Sequence, residues 1–328
     1  MRAAVLTDTH GFEVAEVPDP SPGPGELVLR VDACGICGSD IKMRHHMPSG
    51  LVMGHEFAGQ IVACGSDSGP WREGQRVASL PIIGCGVCPP CRAGEPAHCV
   101  QADLVGVGGS SGAYAEFVRV SARETFALPE GFDPEMGALT EPLAVGLHAV
   151  ARAQLTPGTR VLIVGGGPVG LAVTVWARQF GAGELVVSDP SPERREAAGR
   201  FGATSVVDPT SGDIGTGFDV VFECVGIPGM VDVAVGAAGL HGRVVIAGVC
   251  TYPDPFTPIT AVLKEITMDF VVYYTRPEFA YVIDAFGNGV IDPEPFVTDR
   301  IGLDGVDAAF RELDGSRSQC KILVLPGT

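Results

Sequence analysis

Residues 161–170 read Val161-Leu-Ile-Val-Gly-Gly-Gly-Pro-Val-Gly170, a short apolar run followed by a turn rich in glycine. Gly165, Gly167 and Gly170 have the GxGxxG spacing between a predicted strand and a predicted helix that Pro168 opens. The first glycine permits a tight turn, the second a close approach to a pyrophosphate, and the third close packing of helix on strand. The amides of the helix N-terminus then face the phosphates. The stretch therefore predicts a dinucleotide site in a parallel sheet.

Asp189 follows the next predicted strand, 19 residues after Gly170. A carboxylate there can accept hydrogen bonds from the adenosine ribose and would repel a 2′-phosphate. The sequence thus favours NAD over NADP. Arg194 and Arg195 lie on the helix that follows, either on a solvated face or along the adenine pocket.

Outward from this turn, the two halves of the chain differ in pattern. From about Thr140, apolar strand-like and helix-like segments alternate, which predicts an α/β fold with a doubly wound parallel sheet. Before that point, short strands such as Glu26–Val31 are separated by frequent turns and indicate a β-rich barrel or sandwich. The tail from about Pro277 ends in the strand Lys321–Leu325, and the pattern alone allows it to complete either domain.

Composition limits the possible functions. The chain has 328 residues, enough for two domains at about 100–200 residues each, and 22 Lys+Arg against 39 Asp+Glu give a net charge of −17. An acidic chain without basic runs argues against nucleic acid or an anionic membrane as a partner. The N-terminal stretch lacks a signal-peptide pattern, and the uncharged run 161–177 is broken by glycines, so we expect a cytoplasmic protein.

Four of the ten cysteines lie within 15 residues, at Cys85, Cys88, Cys91 and Cys99. Turn-forming glycines and prolines between them can bring four thiolates to one tetrahedral zinc ion. The alternative is a pair of disulfides, but cysteines three apart are poor disulfide partners and a reducing compartment favours metal. Four protein ligands leave no open position, so this zinc would be structural.

A second metal site is predicted from dispersed residues. The segments Cys34-Gly-Ile-Cys37-Gly-Ser-Asp40 and Gly54-His55-Glu56 supply a thiolate, an imidazole and a carboxylate. Glu141 joins them if the helix that begins near Pro142 faces the same place; otherwise it is an acidic residue favoured by the helix dipole. Mixed ligands with one position left for water are typical of catalytic zinc.

Together these segments resemble the zinc-dependent medium-chain dehydrogenase/reductase family, and most of all its sorbitol/polyol, threonine and butanediol dehydrogenase branch. The resemblance covers almost the whole chain and rests on these motifs: CGICGSD (34–40), GHE (54–56), CGVCPPCRAGEPAHC (85–99), TEPLAVGLHA (140–149), GGGPVG (165–170) and SDPSPERR (188–195). It implies a GroES-like catalytic domain and a Rossmann NAD-binding domain with a cleft between them, and homodimers or homotetramers. The implied boundaries are 1–144 for the catalytic domain with a zinc lobe at about 84–100, 145–276 for the Rossmann domain, and 277–328 completing the catalytic domain.

The resemblance also implies roles for single residues. Cys37, His55 and either Glu56 or Glu141 would hold a catalytic zinc, which lowers the pKa of the substrate alcohol before hydride moves to the nicotinamide. Ser39 would pass the proton outward, and Asp40 would orient His55. The implied cofactor contacts are Gly165, Gly167, Pro168, Val169, Gly170, Asp189, Arg194 and Gly248, the last within a loop of residues 247–249 near the nicotinamide.

The chain departs from the family pattern in two places. Lys42 stands where many relatives have a relay histidine, so His45, His46 or water would have to finish the proton relay. The segment 42–53 is also shorter than its counterpart in many polyol relatives, where it helps to shape the substrate pocket.

The sequence therefore predicts an oxidoreductase with two zinc ions that transfers hydride between a secondary alcohol or polyol, or the corresponding ketone, and NAD. The alternatives are an NADP-dependent alcohol dehydrogenase, a zinc-free enone or quinone reductase of the same fold, and a nucleotide-binding protein without activity.

Overall fold

The computed structural model describes residues 1–315 and 319–328. They form two compact units, one built from Met1–Glu141 with Tyr274–Thr328, the other from Pro142–Tyr273. Both changes of unit fall a few residues before the boundaries expected from the sequence. None of the described helices is long and apolar enough to cross a membrane.

Strands and helices follow one another along the described residues. The strands are β1 (Arg2–Leu6), β2 (Phe12–Glu16), β3 (Glu26–Gly35), β4 (Glu56–Cys64), β5 (Arg76–Ser79), β6 (Ile82–Ile83), β7 (Asp103–Leu104), β8 (Phe117–Ser121), β9 (Thr125–Ala127), β10 (Val161–Val164), β11 (Leu185–Ser188), β12 (Ser205–Val207), β13 (Phe218–Glu223), β14 (Ala238–Ile246), β15 (Thr267–Phe270), β16 (Val297–Ile301) and β17 (Lys321–Val324). The α-helices are α1 (Gly38–Met43), α2 (Pro89–Ala93), α3 (Thr140–Ala153), α4 (Pro168–Gln179), α5 (Pro192–Arg200), α6 (Met230–Ala237), α7 (Pro258–Lys264), α8 (Arg276–Gly287) and α9 (Val306–Gly315).

The unit Pro142–Tyr273 contains a six-stranded, wholly parallel sheet of order β12-β11-β10-β13-β14-β15. All four residues of β10 are buried, as expected for a parallel strand covered on both faces. Within the unit this is the order 3-2-1-4-5-6 of dinucleotide-binding sheets, and the order reverses beside β10. The predicted doubly wound fold is confirmed.

The other unit is built on a seven-stranded sheet of order β16-β17-β3-β4-β5-β9, with β8 also paired to β3. All its pairings are antiparallel except β16 with β17. Strand β17 pairs with the end of β3. The C-terminal strands β16 and β17 therefore extend a sheet whose other strands lie within residues 26–127. Buried side chains from β1, β3, β4, β8, α9 and β17 form its apolar core.

Helix α3 begins earlier than expected. The sequence predicts Pro142 as its first residue with Thr140 or Glu141 as the cap, but the helix starts at Thr140. A 3-10 turn over Glu135–Leu139 runs directly into it, and Thr140 already has helical backbone angles (φ −57°, ψ −42°). The preceding turn thus takes the place of a cap, and Glu141 lies in the first turn of the helix.

Candidate active site

The four-cysteine cluster is assembled by local turns. Cys88 precedes α2, Cys91 lies within it, and a 3-10 turn over Pro96–His98 leads into Cys99. The four sulfur atoms, including that of Cys85, lie within 4.8 Å of one another. Gly94 ends α2 in the left-handed conformation (φ 84°), which reverses the chain inside the cluster. Four converging thiols with no carboxylate among them fit a structural zinc ion.

The thiols of this cluster do not have equal proton affinity. Hydrogen bonds from the backbone amides of Val87 and Cys88 lower the pKa of Cys85 to about 6. Burial raises the pKa of Cys91 to about 12. Because zinc binds thiolates, the amide hydrogen bonds supply part of the stabilisation that a bound cation would otherwise have to provide.

Two arginines tie the segment 85–99 to the rest of its unit, and neither was predicted from the sequence. The Arg123 guanidinium donates to the carbonyl oxygens of Gly86 (2.5 Å) and Cys91 (3.2 Å). The backbone amide of Arg276 donates to the carbonyl of Gly94 (2.8 Å), and its guanidinium lies 2.8 Å from the buried carboxylate of Glu124. The cysteine segment is therefore held from outside as well as by its own turns.

The dispersed residues Cys37, His55 and Glu56 also come together. Cys37 caps α1, His55 precedes β4, and Glu56 is the first residue of β4, paired with Gly35 at the end of β3. One ligand atom from each of the three lies within 4.8 Å of the other two. A side chain at position 35 would lie 2.2 Å from a Glu56 oxygen, so glycine there makes room for the carboxylate. A thiol, an imidazole and a carboxylate at this spacing fit zinc with an open position.

His55 faces Asp40, the residue that the family resemblance implied would orient it. Nδ1 of His55 lies 3.1 Å from Oδ1 of Asp40, and Asp40 is fully buried. Burial by itself would lower the pKa of His55, but Asp40 and Cys37 outweigh it and hold the pKa well above its usual value. Tyr114 donates to the other Asp40 oxygen at 2.6 Å. That contact was not anticipated.

Glu56 has a partner that was not predicted from the sequence. Lys321, at the start of β17, places Nζ 2.7 and 2.6 Å from the two oxygens of Glu56, and both side chains are almost fully buried. Burial alone would lower the pKa of Lys321, but Glu56 and Cys37 reverse that and raise it. The one available sign was a lysine at the head of the otherwise apolar strand Lys321–Val324.

Glu141 and Ser39 lie in the same unit. Glu141 is buried, and burial raises its pKa to about 7, opposed mainly by the charge of His55. It lies outside the set of ligand atoms within 4.8 Å that the described residues supply. Ser39 donates a hydrogen bond to Sγ of Cys37 (3.1 Å). His45, a candidate for the relay, packs edge-on against His10 with ring centroids 5.2 Å apart.

The glycine turn has the geometry that its spacing predicts. Gly165 has φ 100°, and a Cβ on Gly170 would lie 1.8 Å from the Gly165 carbonyl oxygen, so a side chain fits at neither position. Gly167 caps α4, which Pro168 opens and Val169 continues. The N-terminus of α4 therefore follows directly on the turn, as a phosphate site requires.

Asp189 lies beside this turn, directly after β11. Its carboxylate accepts hydrogen bonds from the amides of Gly166 (2.9 Å) and Ser191 (2.8 Å), and Arg194 lies 3.7 Å away. Gly248 follows β14, and its amide donates to the carbonyl of Glu223 (2.9 Å). The structure thus gathers these predicted cofactor contacts at the carboxyl ends of the parallel strands, where ligands of such sheets bind.

Comparison with known proteins extends over the whole chain. The alcohol dehydrogenase GroES-like domain matches residues 23–130, and the zinc-binding dehydrogenase domain matches residues 168–288. Sorbitol dehydrogenase of Bacillus subtilis is 30% identical, covering 99% of this chain and 97% of that protein. The 2-dehydro-3-deoxy-L-galactonate 5-dehydrogenase of Pseudoalteromonas atlantica is 33% identical, with 99% and 98% covered. A Sinorhizobium meliloti protein described as a zinc-binding dehydrogenase, solved with bound NADP, is 32% identical and superposes with a TM-score of 0.91 over 99% of both chains.

The fold, the four-cysteine cluster and the group of Cys37, His55 and Glu56 thus define a two-domain oxidoreductase with a GroES-like domain and a Rossmann-like parallel sheet. The chain belongs to the zinc-dependent medium-chain dehydrogenase/reductase family, and the expected resemblance is confirmed. Its reaction class is hydride transfer between an alcohol and a ketone at a CH–OH group.

Proposed function

We propose that this protein is an NAD-dependent dehydrogenase of secondary alcohols or polyols that holds one catalytic and one structural zinc ion. The observation that carries the proposal is the convergence of Cys37, His55 and Glu56, because their donor atoms suit zinc and four cysteines already form a separate, closed cluster. A zinc-free enone or quinone reductase would have no use for a second set of ligands.

A bound zinc ion polarises the alcohol oxygen as a Lewis acid, and a bound nicotinamide accepts the hydride. Residues of the chain would bind both groups. Cys37 and His55 would hold the ion together with either Glu56 or Glu141. The Lys321 ammonium binds the Glu56 carboxylate, so in the described arrangement Glu56 is shared between a cation of the protein and the metal site. Glu141, buried and with a pKa of about 7, can bind or release a proton near neutral pH.

The hydroxyl of Ser39, beside the Cys37 sulfur, is proposed to carry the substrate proton away. Lys42 occupies the position of the usual relay histidine, so the path beyond Ser39 runs through His45, His46 or water. Substitution of Ser39 by alanine should lower kcat while zinc content stays unchanged. A wild-type kcat in that variant would exclude the role.

The choice of NAD is supported by Asp189. Its carboxylate is anchored by two backbone amides beside the glycine turn, where it can accept from ribose hydroxyls and repel a 2′-phosphate. Asp189→Asn keeps the size of the side chain and removes its charge, and its one amide oxygen can accept from only one of the two backbone amides. The preference in kcat/KM for NAD over NADP should then fall about tenfold, or about 1.4 kcal/mol. Glu193→Gln, on the exposed face of α5, is the matched control, and a wild-type enzyme that uses NADP better than NAD would contradict the assignment.

We also propose a homodimer or homotetramer in the cytoplasm. Helix α7 and the edge strand β15 expose Ile259, Val262, Leu263 and Phe270, and such apolar surface next to an open strand edge is typical of an interface. The ten cysteines are free thiols, which suits a reducing compartment. Sedimentation at micromolar concentration showing only monomer, or fractionation placing the protein outside the cytoplasm, would contradict these two proposals.

The decisive experiment is a panel of diols, sugar alcohols, cyclitols and amino alcohols, followed by NADH absorbance, with zinc measured on the same samples. Turnover of a secondary alcohol with two zinc ions per chain is the expected result. One zinc per chain, with turnover of enones or quinones, would favour the reductase of the same fold that has no catalytic zinc. Tight NADH binding without turnover of any compound would favour a nucleotide-binding protein.

A further inference from the structure

Tyr114 lies fully buried in the unit that carries Cys37 and His55, and the proposed chemistry gives its hydroxyl no role. Its main chain is bonded to the residues just before His55. The amides of Gly112, Ala113 and Tyr114 donate to the carbonyls of Val52, Gly54 and Met53 at 2.8, 2.9 and 2.9 Å. The segment that delivers His55 is therefore fixed by the segment that carries Tyr114.

The Tyr114 ring packs on the same segment. A Cβ on Gly54 would lie 2.7 Å from Cδ1 of Tyr114, and Gly54 has φ 99°, so only glycine lets the ring lie this close to the residue before His55. Phe12 and Phe310 meet the ring edge-on, with centroids 6.2 and 6.0 Å away. These contacts leave the ring one orientation, and that orientation sets where the hydroxyl points.

The hydroxyl is aimed at Asp40. It lies 2.6 Å from Asp40 Oδ2 and 3.4 Å from the carbonyl of Gly35, so the carboxylate is the nearer acceptor. Oδ2 also accepts the Cys37 amide at 3.3 Å. Oδ1 is left facing Nδ1 of His55 at 3.1 Å. A short hydrogen bond to a buried carboxylate is among the stronger ones in proteins, and it fixes which oxygen meets the imidazole.

We propose that Tyr114 is a positioning residue for the open metal site: its hydroxyl locks Asp40 in the rotamer that orients the His55 imidazole. With Nδ1 facing Asp40 Oδ1 at 3.1 Å, Nε2 is the nitrogen left for a metal ion. The inference rests on the proposed role of Cys37, His55 and Glu56 as ligands. A tyrosine that merely filled the core would contribute to folding and leave the ligand geometry to Asp40 alone.

Tyr114→Phe tests the inference, since it keeps the ring and removes only the hydroxyl. Zinc affinity is measured on the folded full-length protein by competition with a chromophoric chelator, and Cys37→Ser supplies the background from the four-cysteine site. Loss of an outer partner of a ligand costs about 10–100-fold in metal affinity, and we expect about 10-fold here. Thr125→Val is the matched control, because it removes another buried hydroxyl of the same unit, one that donates to the Ser121 carbonyl (2.8 Å). Its zinc affinity should equal that of the wild type.

Asp40→Ala separates positioning from packing. If Tyr114 acts through Asp40, Tyr114→Phe should weaken zinc binding in the wild type and add nothing in the Asp40→Ala background, where the hydroxyl has lost its side-chain acceptor. Additive losses, or wild-type affinity in Tyr114→Phe while Cys37→Ser lacks one zinc, would overturn this inference and leave the proposed function intact. If Cys37→Ser holds as much zinc as the wild type, the proposed function fails and the inference fails with it.

Discussion

The two candidate metal clusters of this protein are built in different ways. The closed cluster takes its four thiols from the segment 85–99, and turns within that segment bring the sulfur atoms together. The open cluster takes Cys37 from the start of α1 and His55 and Glu56 from the start of β4, so it exists only where β3 pairs with β4. Two side chains of the open cluster also face buried charged groups: His55 faces Asp40, and Glu56 faces Lys321. The closed cluster is held instead by Arg123, which donates hydrogen bonds to backbone carbonyls of its segment.

This difference suggests a division of roles, structural for the closed cluster and chemical for the open one. A set of four thiols inside one turn-rich segment gives a metal ion no free position, so it can only stabilise the fold. A set that is incomplete, buried and surrounded by titratable groups can exchange a ligand with a substrate. The following variants test that division, from the largest expected effect to the smallest.

Cys37→Ser should reduce kcat/KM by about 10³-fold, because Lewis-acid polarisation is worth several kcal/mol and each 1.36 kcal/mol is a factor of ten. Zinc content should fall by one ion per chain, and the melting temperature should change little. The matched control is Cys64→Ser, a half-buried cysteine at the end of β4 that belongs to neither cluster. A Cys37→Ser enzyme with more than a tenth of wild-type activity would contradict the assignment of the open site.

Lys321→Met should lower the free energy of unfolding by about 3 kcal/mol, since it leaves the Glu56 carboxylate buried without its cation. Urea unfolding at pH 7 measures the change. The double variant with Glu56→Gln removes the orphaned charge and should recover part of the loss. Equal stability of the single and double variants would show that the pair contributes no such coupling.

Cys99→Ser should act on stability more than on chemistry. We expect the loss of the second zinc and a fall of about 3 °C in melting temperature, which corresponds to about 2 kcal/mol for a chain of 328 residues. The kcat of the molecules that remain folded should stay close to the wild-type value. A large fall in kcat at unchanged melting temperature would reverse the division between the clusters.

Glu141→Gln tests an effect that is confined to one pH range, the pH dependence of stability in chelator-treated protein. Burial raises the pKa of Glu141 from 4.5 to about 7, so between these values the folded chain holds a proton that the unfolded chain has released. Stability therefore falls as pH rises from about 4.5 to about 7, and this contribution is absent in the variant. Denaturant titrations at pH 5 and pH 7.5 should show a steeper decline in the wild type; an equal or shallower decline would contradict the raised pKa.

The closed cluster and the glycine turn were predictable because their signals are local. The spacing of Cys85 to Cys99 and the order of glycines at 165–170 each act within a few turns of chain, so sequence spacing translates directly into distance. Lys321 and Tyr114 carry no such signal, because each meets its partner across more than 70 residues of sequence. The earlier start of α3 was missed for a related reason: a 3-10 turn before it replaced the cap that the sequence suggested.

The sequence by itself determined the four-cysteine segment and the place of the glycine turn, because each depends on residue types at short, fixed spacings, and its resemblance to the family gave the reaction class. Only the tertiary structure decided what surrounds them: the cation on Glu56, the hydroxyl on Asp40, the arginines on the cysteine segment and the amides on the Asp189 carboxylate. Most of those partners come from strands and turns that are distant along the chain, although the Ser191 amide is two residues from Asp189. Sheet pairing brings these partners to their sites, and a buried charge is costly without a partner. A short stretch of sequence does not show which residue that partner is.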